Sequence, residues 1–86
     1  MKYFKIIAWG ECPFCIKAKA LLIENNLQFE YCVVDHAPEL LKYYKSNYDY
    51  KTVPIIVFVE DEGEEFIGGY TDLRRYVEEG VGRAFQ

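Results

Sequence analysis

Two cysteines three positions apart, Cys12 and Cys15, stand where a strand-like run turns into a helix-like one. The run Tyr3-Phe4-Lys5-Ile6-Ile7-Ala8 precedes the tetrapeptide Cys12-Pro13-Phe14-Cys15, and a helical pattern follows from Ile16 to Asn25. A thiol pair at a helix start closes and reopens a disulfide while the rest of the fold stays put, so redox chemistry leads the functional expectations. Pro13 suits the first helical position, where its missing N–H costs nothing.

The remainder reads as an alternation of strands and helices. Lys2 to Ala8 and Phe29 to Val34 are rich in aromatic and β-branched residues, and the helix between them has Ile16, Ala20, Ile23 and Leu27 spaced for one buried face. That βαβ unit implies parallel strands. Pro38 opens a second helix through about Asn47, followed by a strand Ile55 to Glu60, a turn Asp61-Glu62-Gly63, a short strand Glu64 to Ile67, and a last helix from about Asp72 to Glu79. The order βαβαββα predicts an α/β fold, a four-stranded mixed sheet flanked by helices, in a single domain over residues 1–86.

Composition narrows the partners. Hydrophobic residues make up 51% of the 86, enough to build a core without metal or structural disulfides. A formal charge of −4 with no basic cluster on one predicted face argues against nucleic acid or an anionic membrane as the main partner. The N-terminus lacks a signal-peptide pattern and the longest apolar run, Val53 to Val59, is too short to span a bilayer. The expectation is a soluble, cytoplasmic monomer whose Cys12 and Cys15 are working thiols in a reducing compartment.

At a helix N-cap, free N–H groups and the positive end of the dipole stabilise a Cys12 thiolate, while Cys15 is shielded inside the first turn. Cys12 is therefore expected to be the nucleophile and Cys15 the resolving thiol. A drop in pKa from about 8.5 to about 5 raises the thiolate fraction roughly thirty-fold at neutral pH, and a Brønsted coefficient near 0.45 cancels that gain in nucleophilicity. What remains is a better leaving group, which speeds release when a second thiol attacks the mixed disulfide. A competing structural reading takes Cys12, Cys15, Cys32 and His36 as a zinc site. Simpler roles are a small strand residue for Cys32 and a residue leading into a helix for His36. The segment Lys42 to Lys51, with Tyr43, Tyr44, Tyr48 and Tyr50, reads as a solvated helix and loop, or alternatively as a partner surface.

Taken together, Cys12-Pro13-Phe14-Cys15, Thr52-Val53-Pro54 and Gly68-Gly69-Tyr70-Thr71-Asp72 give the chain, over nearly its whole length, a pattern that resembles the dithiol glutaredoxins. The resemblance implies a thioredoxin fold, a cis Val53-Pro54 bond, and glutathione as cosubstrate with no metal. It also implies reduction of disulfide-containing or glutathionylated proteins. In that likeness Val53 pairs with the cysteinyl unit of glutathione as a strand edge does, beside Thr52 and Pro54, and Tyr70, Thr71 and Asp72 hold the γ-glutamyl end. Phe14 supplies an apolar wall in place of the usual Tyr, and Lys51 is the candidate for the glycyl carboxylate. Trp9 stands where the family commonly has a Lys or Arg, and Glu11 directly precedes Cys12, so Cys12 is expected to be less acidic than is usual there. Two variants of this reading are a redoxin served by thioredoxin reductase and a carrier of a glutathione-ligated [2Fe-2S] cluster. The bulk of Pro13 beside the ligand disfavours the second.

Overall fold

The computed structural model describes residues 2–81. Its elements are β1 (Tyr3–Ala8), α1 (Pro13–Glu24), β2 (Phe29–Val33), α2 (Pro38–Asn47), β3 (Ile55–Glu60), β4 (Gly63–Gly68) and α3 (Tyr70–Tyr76), the last running into a π-helical turn Val77–Val81. The strands form one sheet in the order β2-β1-β3-β4. β1 pairs parallel with β2 and antiparallel with β3, and β3 pairs antiparallel with β4. This is the α/β arrangement anticipated from the sequence, a mixed four-stranded sheet with helices on both faces.

Because the pleat alternates, the two central strands feed two cores. Phe4, Ile6 and Ala8 of β1 and Ile56 and Phe58 of β3 meet Cys15, Ala18 and Leu22 of α1 and Leu73 of α3 on one face. Ile7, Ile55 and Val34 form the other core, capped by Leu41 and Tyr44 of α2. Covered on both sides, β1 and β3 read as nearly unbroken apolar runs, and each large side chain fully buried there contributes about 1.5–3 kcal/mol.

The buried face of α1 differs from the expected one. Cys15, Ala18 and Leu22 are buried, whereas Ile16 and Ile23 are 54% and 56% exposed and Ala20 is exposed too. Both sets have helical spacing; docking of the first turn through Cys15 selects the face one residue earlier. Leu27 does pack against this core. The helix ends where Asn25 turns its side-chain amide onto the Leu21 carbonyl at 2.8 Å and Asn26 takes a left-handed φ of 55°, a conformation asparagine tolerates.

The tyrosine-rich segment is another departure. Tyr44, Tyr48 and Tyr50 pack over the second core rather than into solvent. The Tyr48 and Phe66 rings stack at 4.9 Å, Tyr50 meets Phe66 edge-on at 5.3 Å, and Tyr44 and Tyr48 lie 6.5 Å apart. Tyr48 donates its hydroxyl to Glu64 at 2.7 Å, so the ladder fastens α2 to β4. Only Tyr43 of the four is exposed, and it keeps ring contact with Tyr44. The last helix begins at Tyr70, two residues before the expected start, because Gly69 serves as its N-cap. No helix among the described residues is long and apolar enough to cross a membrane.

Candidate active site

The thiol pair sits at the end of the sheet where β1 finishes and β3 begins. Cys12 is the N-cap of α1, with extended φ and ψ of −91° and 114°, and Pro13 takes the first helical position. The Cys12 sulfur accepts the Cys15 backbone N–H at 3.2 Å, one of the donors a helix start leaves without an intrahelical partner. Cys12 is 9% exposed and Cys15 is sealed at 0%. Burial first, and then the hydrogen bond and like charge of Cys12, push the Cys15 thiol up to about 12. Cys12 thus keeps a small residual exposure at the helix start, and Cys15 is held neutral beneath it.

The loop before Cys12 has a support with no local signature in sequence. Both carboxylate oxygens of Asp35, beyond the end of β2, accept the Gly10 N–H, at 3.0 and 3.2 Å. A Cβ at Gly10 would stand 2.7 Å from Asp35 Oδ2, so a side chain at this position would push the carboxylate aside. Cys12 N in turn donates to the Trp9 carbonyl at 3.4 Å, which completes the turn into α1.

Beside the thiols lies a surface cleft of about 180 Å³ lined by Phe14, Thr52, Val53, Pro54, Tyr70, Thr71 and Asp72, together with Tyr50 and Gly69. It brings together residues from three stretches of sequence. The Val53-Pro54 bond is cis, and neither the N–H nor the C=O of Val53 has a backbone partner among the described residues. Phe14 and Tyr70 form one wall, their rings 6.2 Å apart. Asp72 accepts the Gly69 N–H at 3.1 Å through one carboxylate oxygen. Lys51 lines a neighbouring groove on the other side of Tyr50 rather than this cleft. Tyr50 is the lining residue that sequence reasoning missed: its hydroxyl lies 2.7 Å from where a Gly69 Cβ would be, so the two residues shape the floor jointly.

The zinc reading fails on geometry. Cys12 and Cys15 belong to the core under α1, while Cys32 packs against the core under α2 on the opposite face of the sheet. His36 is exposed in the turn before α2, and among the described residues no group of three or more His, Cys, Asp or Glu side chains is placed to hold a metal ion. Cys32 donates to Glu30 Oε1 at 3.1 Å, and burial together with that contact pushes its thiol up to about 11. It stays protonated at neutral pH, which makes it a poor site for glutathionylation.

The comparisons with known proteins agree with this geometry. The glutaredoxin family model matches residues 3–63. A glutaredoxin of Pseudomonas aeruginosa is 38% identical over 66 residues, 77% of this chain and 71% of its own length. A glutaredoxin-named protein of Synechocystis sp. is 32% identical over 80 residues, 92% of this chain and 84% of that one. Among solved structures, glutaredoxin 1 of Francisella tularensis, crystallised with cacodylate, superposes with a TM-score of 0.75 at 29% identity, covering 96% of this chain and 100% of that one. A wheat glutaredoxin superposes with a TM-score of 0.80 over 94% of this chain and 76% of its own, and at 23% identity it speaks for the fold alone. With a family model spanning more than half its length and a thiol pair whose first member caps α1, the chain belongs to the glutaredoxin family, the thiol–disulfide oxidoreductases of the thioredoxin fold.

Proposed function

We propose that the protein is a glutathione-dependent thiol–disulfide oxidoreductase of the cytoplasm that reduces glutathione mixed disulfides and protein disulfides, with Cys12 as nucleophile and Cys15 as resolving thiol. The observation that carries this reading is the cleft itself. Residues of all three sequence signatures line one surface, with Phe14 of the thiol motif among them, and Cys12 at the helix start retains a small exposure.

Cys12 attacks the glutathionyl sulfur of a mixed disulfide. The old S–S bond breaks, the substrate leaves as a thiolate that takes up a proton, and Cys12 is left joined to glutathione. Cys12 then leaves as a thiolate when a second glutathione thiolate attacks the glutathionyl sulfur, giving oxidised glutathione. Alternatively, Cys15 loses its proton and attacks Cys12 Sγ, which expels glutathione and leaves a Cys12–Cys15 disulfide for two further glutathiones to reopen. Each route moves two electrons from glutathione to the substrate. A Cys12 tied in a mixed disulfide carries no charge, so the like-charge contribution that holds Cys15 protonated disappears at the step where Cys15 must ionise.

The lining residues fit the peptide. The unpartnered Val53 N–H and C=O offer a strand edge to the cysteinyl unit beside Thr52 and Pro54. One oxygen of Asp72 is engaged by Gly69, which leaves the other for the γ-glutamyl ammonium, with the Thr71 hydroxyl and Tyr70 alongside. Phe14 closes the apolar side, and Lys51 is proposed for the glycyl carboxylate from across Tyr50. The test is turnover of a small glutathione mixed disulfide with NADPH and glutathione reductase, set against the same assay coupled through thioredoxin reductase. Turnover with glutathione, and a raised KM for glutathione in Thr71→Ala, support the reading. Activity with thioredoxin reductase alone would overturn it.

A further inference from the structure

Across Tyr50 from the thiol cleft runs a second groove of about 520 Å³, bounded by one face of α2 and by the segment 49–51. Pro38 and Leu41 give it an apolar side, and Lys42, Lys45 and Lys51 give it three positive charges. Asp49 is the only carboxylate in its lining, so the groove is cationic in a chain whose formal charge is −4. Among the described residues none of the three lysines is in an ion pair. The acidic turn at Glu60 to Glu65 lies at the opposite end of the β1–β3 pair.

The groove is continuous with the chemistry. Tyr50 lines both it and the thiol cleft. The Lys45 ammonium stands 5.7 Å above the ring of Trp9, whose carbonyl receives the Cys12 N–H. On the other flank of Cys12 the exposed Phe14 ring carries Lys17 at 5.2 Å. The rings of Trp9 and Phe14, which precede and follow Cys12 in the sequence, therefore each hold a cation. Two acids share this end: Asp35, engaged by Gly10, and Glu11.

We infer that the groove docks an acidic stretch of a protein substrate, with Asp or Glu side chains near the target cysteine meeting Lys42 and Lys45. The inference deepens the proposed function, because it rests on Cys12 being the attacking thiol. Unpaired ammonium groups over an apolar floor match a carboxylate-bearing peptide, and complementary charge raises the encounter rate and selects among partners. The preferred substrates are proteins whose reducible cysteine lies in an acidic segment.

The experiment uses two S-glutathionylated peptides identical except that Asp and Glu flank the cysteine in one and Asn and Gln in the other. The ratio of their kcat/KM values is read at low and high salt for wild type, for Lys42→Gln with Lys45→Gln, and for Lys42→Arg with Lys45→Arg. Two exposed charge pairs predict a preference for the acidic peptide of about fivefold at low salt, shrinking at high salt. The Gln pair is expected to lose the preference and the Arg pair to keep it. Equal kcat/KM for the two peptides in wild type overturns the inference, as does a preference that survives in the Gln pair. A salt-sensitive dimer on sizing, with no peptide preference, also overturns it by giving the groove to the acidic turn of a second copy. Wild-type inactivity on a small glutathione mixed disulfide would instead sink the underlying reading, so the two failures are distinguishable.

Discussion

Gly68→Ala is the substitution that most sharply tests how the fold shapes the site. Gly68 has φ of +124°, a conformation L residues rarely adopt, and a Cβ there would lie 2.8 Å from Cγ and 3.0 Å from Cβ of Asp72. Backbone strain of this kind costs about 1–3 kcal/mol. Displacing Asp72 also breaks the bond to the Gly69 N–H at the start of α3, a cap worth about 0.5–2 kcal/mol. The expected destabilisation is about 2–4 kcal/mol, which for a domain of this size lowers Tm by roughly 10–25 °C. In an Asp72→Ala background the carboxylate and its cap are already gone, leaving only strain and the Cβ contact, so the added cost of Gly68→Ala falls by about 1–2 kcal/mol. Urea unfolding of the four proteins in the cycle measures the free energies, and a thermal melt of Gly68→Ala gives the Tm. A Tm within about 3 °C of wild type, or strictly additive costs in the cycle, would refute the reasoning.

Two further predictions concern the thiol pair and its helix. Leu22→Ala removes a fully buried side chain and is expected to cost about 2–5 kcal/mol, whereas Ile23→Ala, at 56% exposure, stays within about 0.5 kcal/mol, as denaturant midpoints will show; equal costs would return the buried face of α1 to Ile16 and Ile23. Cys15 has a folded pKa of about 12, above the unfolded value near 8.5, so its contribution to stability is complete below about pH 8.5 and is lost as pH rises toward 12. Reduced wild type is expected to lose up to about 1.4 kcal/mol more per pH unit in that window than Cys15→Ser, and parallel pH slopes for the two would count against a buried, neutral Cys15.

Legibility in the sequence followed the range of the interaction. The cap at Cys12, Pro13 at the first helical position and the bounds of α2 and β3 rest on neighbouring residues, and they were readable from local chemistry. The face of α1 was not, because Ile16, Ala20 and Ile23 share the helical period of Cys15, Ala18 and Leu22, and only docking against the sheet distinguishes them. The aromatic ladder from Tyr44 to Phe66 joins α2 and its C-terminal turn to β4, a long-range contact that packs three tyrosines of an apparently solvated segment against the second core. The Asp35 support of Gly10 joins positions 25 apart and leaves no local mark. The joint lining of the cleft by Phe14, Val53 and Tyr70 was visible only through the family resemblance, since no periodicity links three such distant segments.

The central claim is that Cys12 carries the glutathionyl group, and the most direct measurement is mass spectrometry of the Cys15→Ser protein after exposure to a glutathione mixed disulfide. The account predicts one glutathionyl adduct, mapped to Cys12 and removed by added glutathione, with Cys32 unmodified because its thiol is held protonated. An adduct on Cys32 with Cys12 free, or no adduct at all, would contradict it.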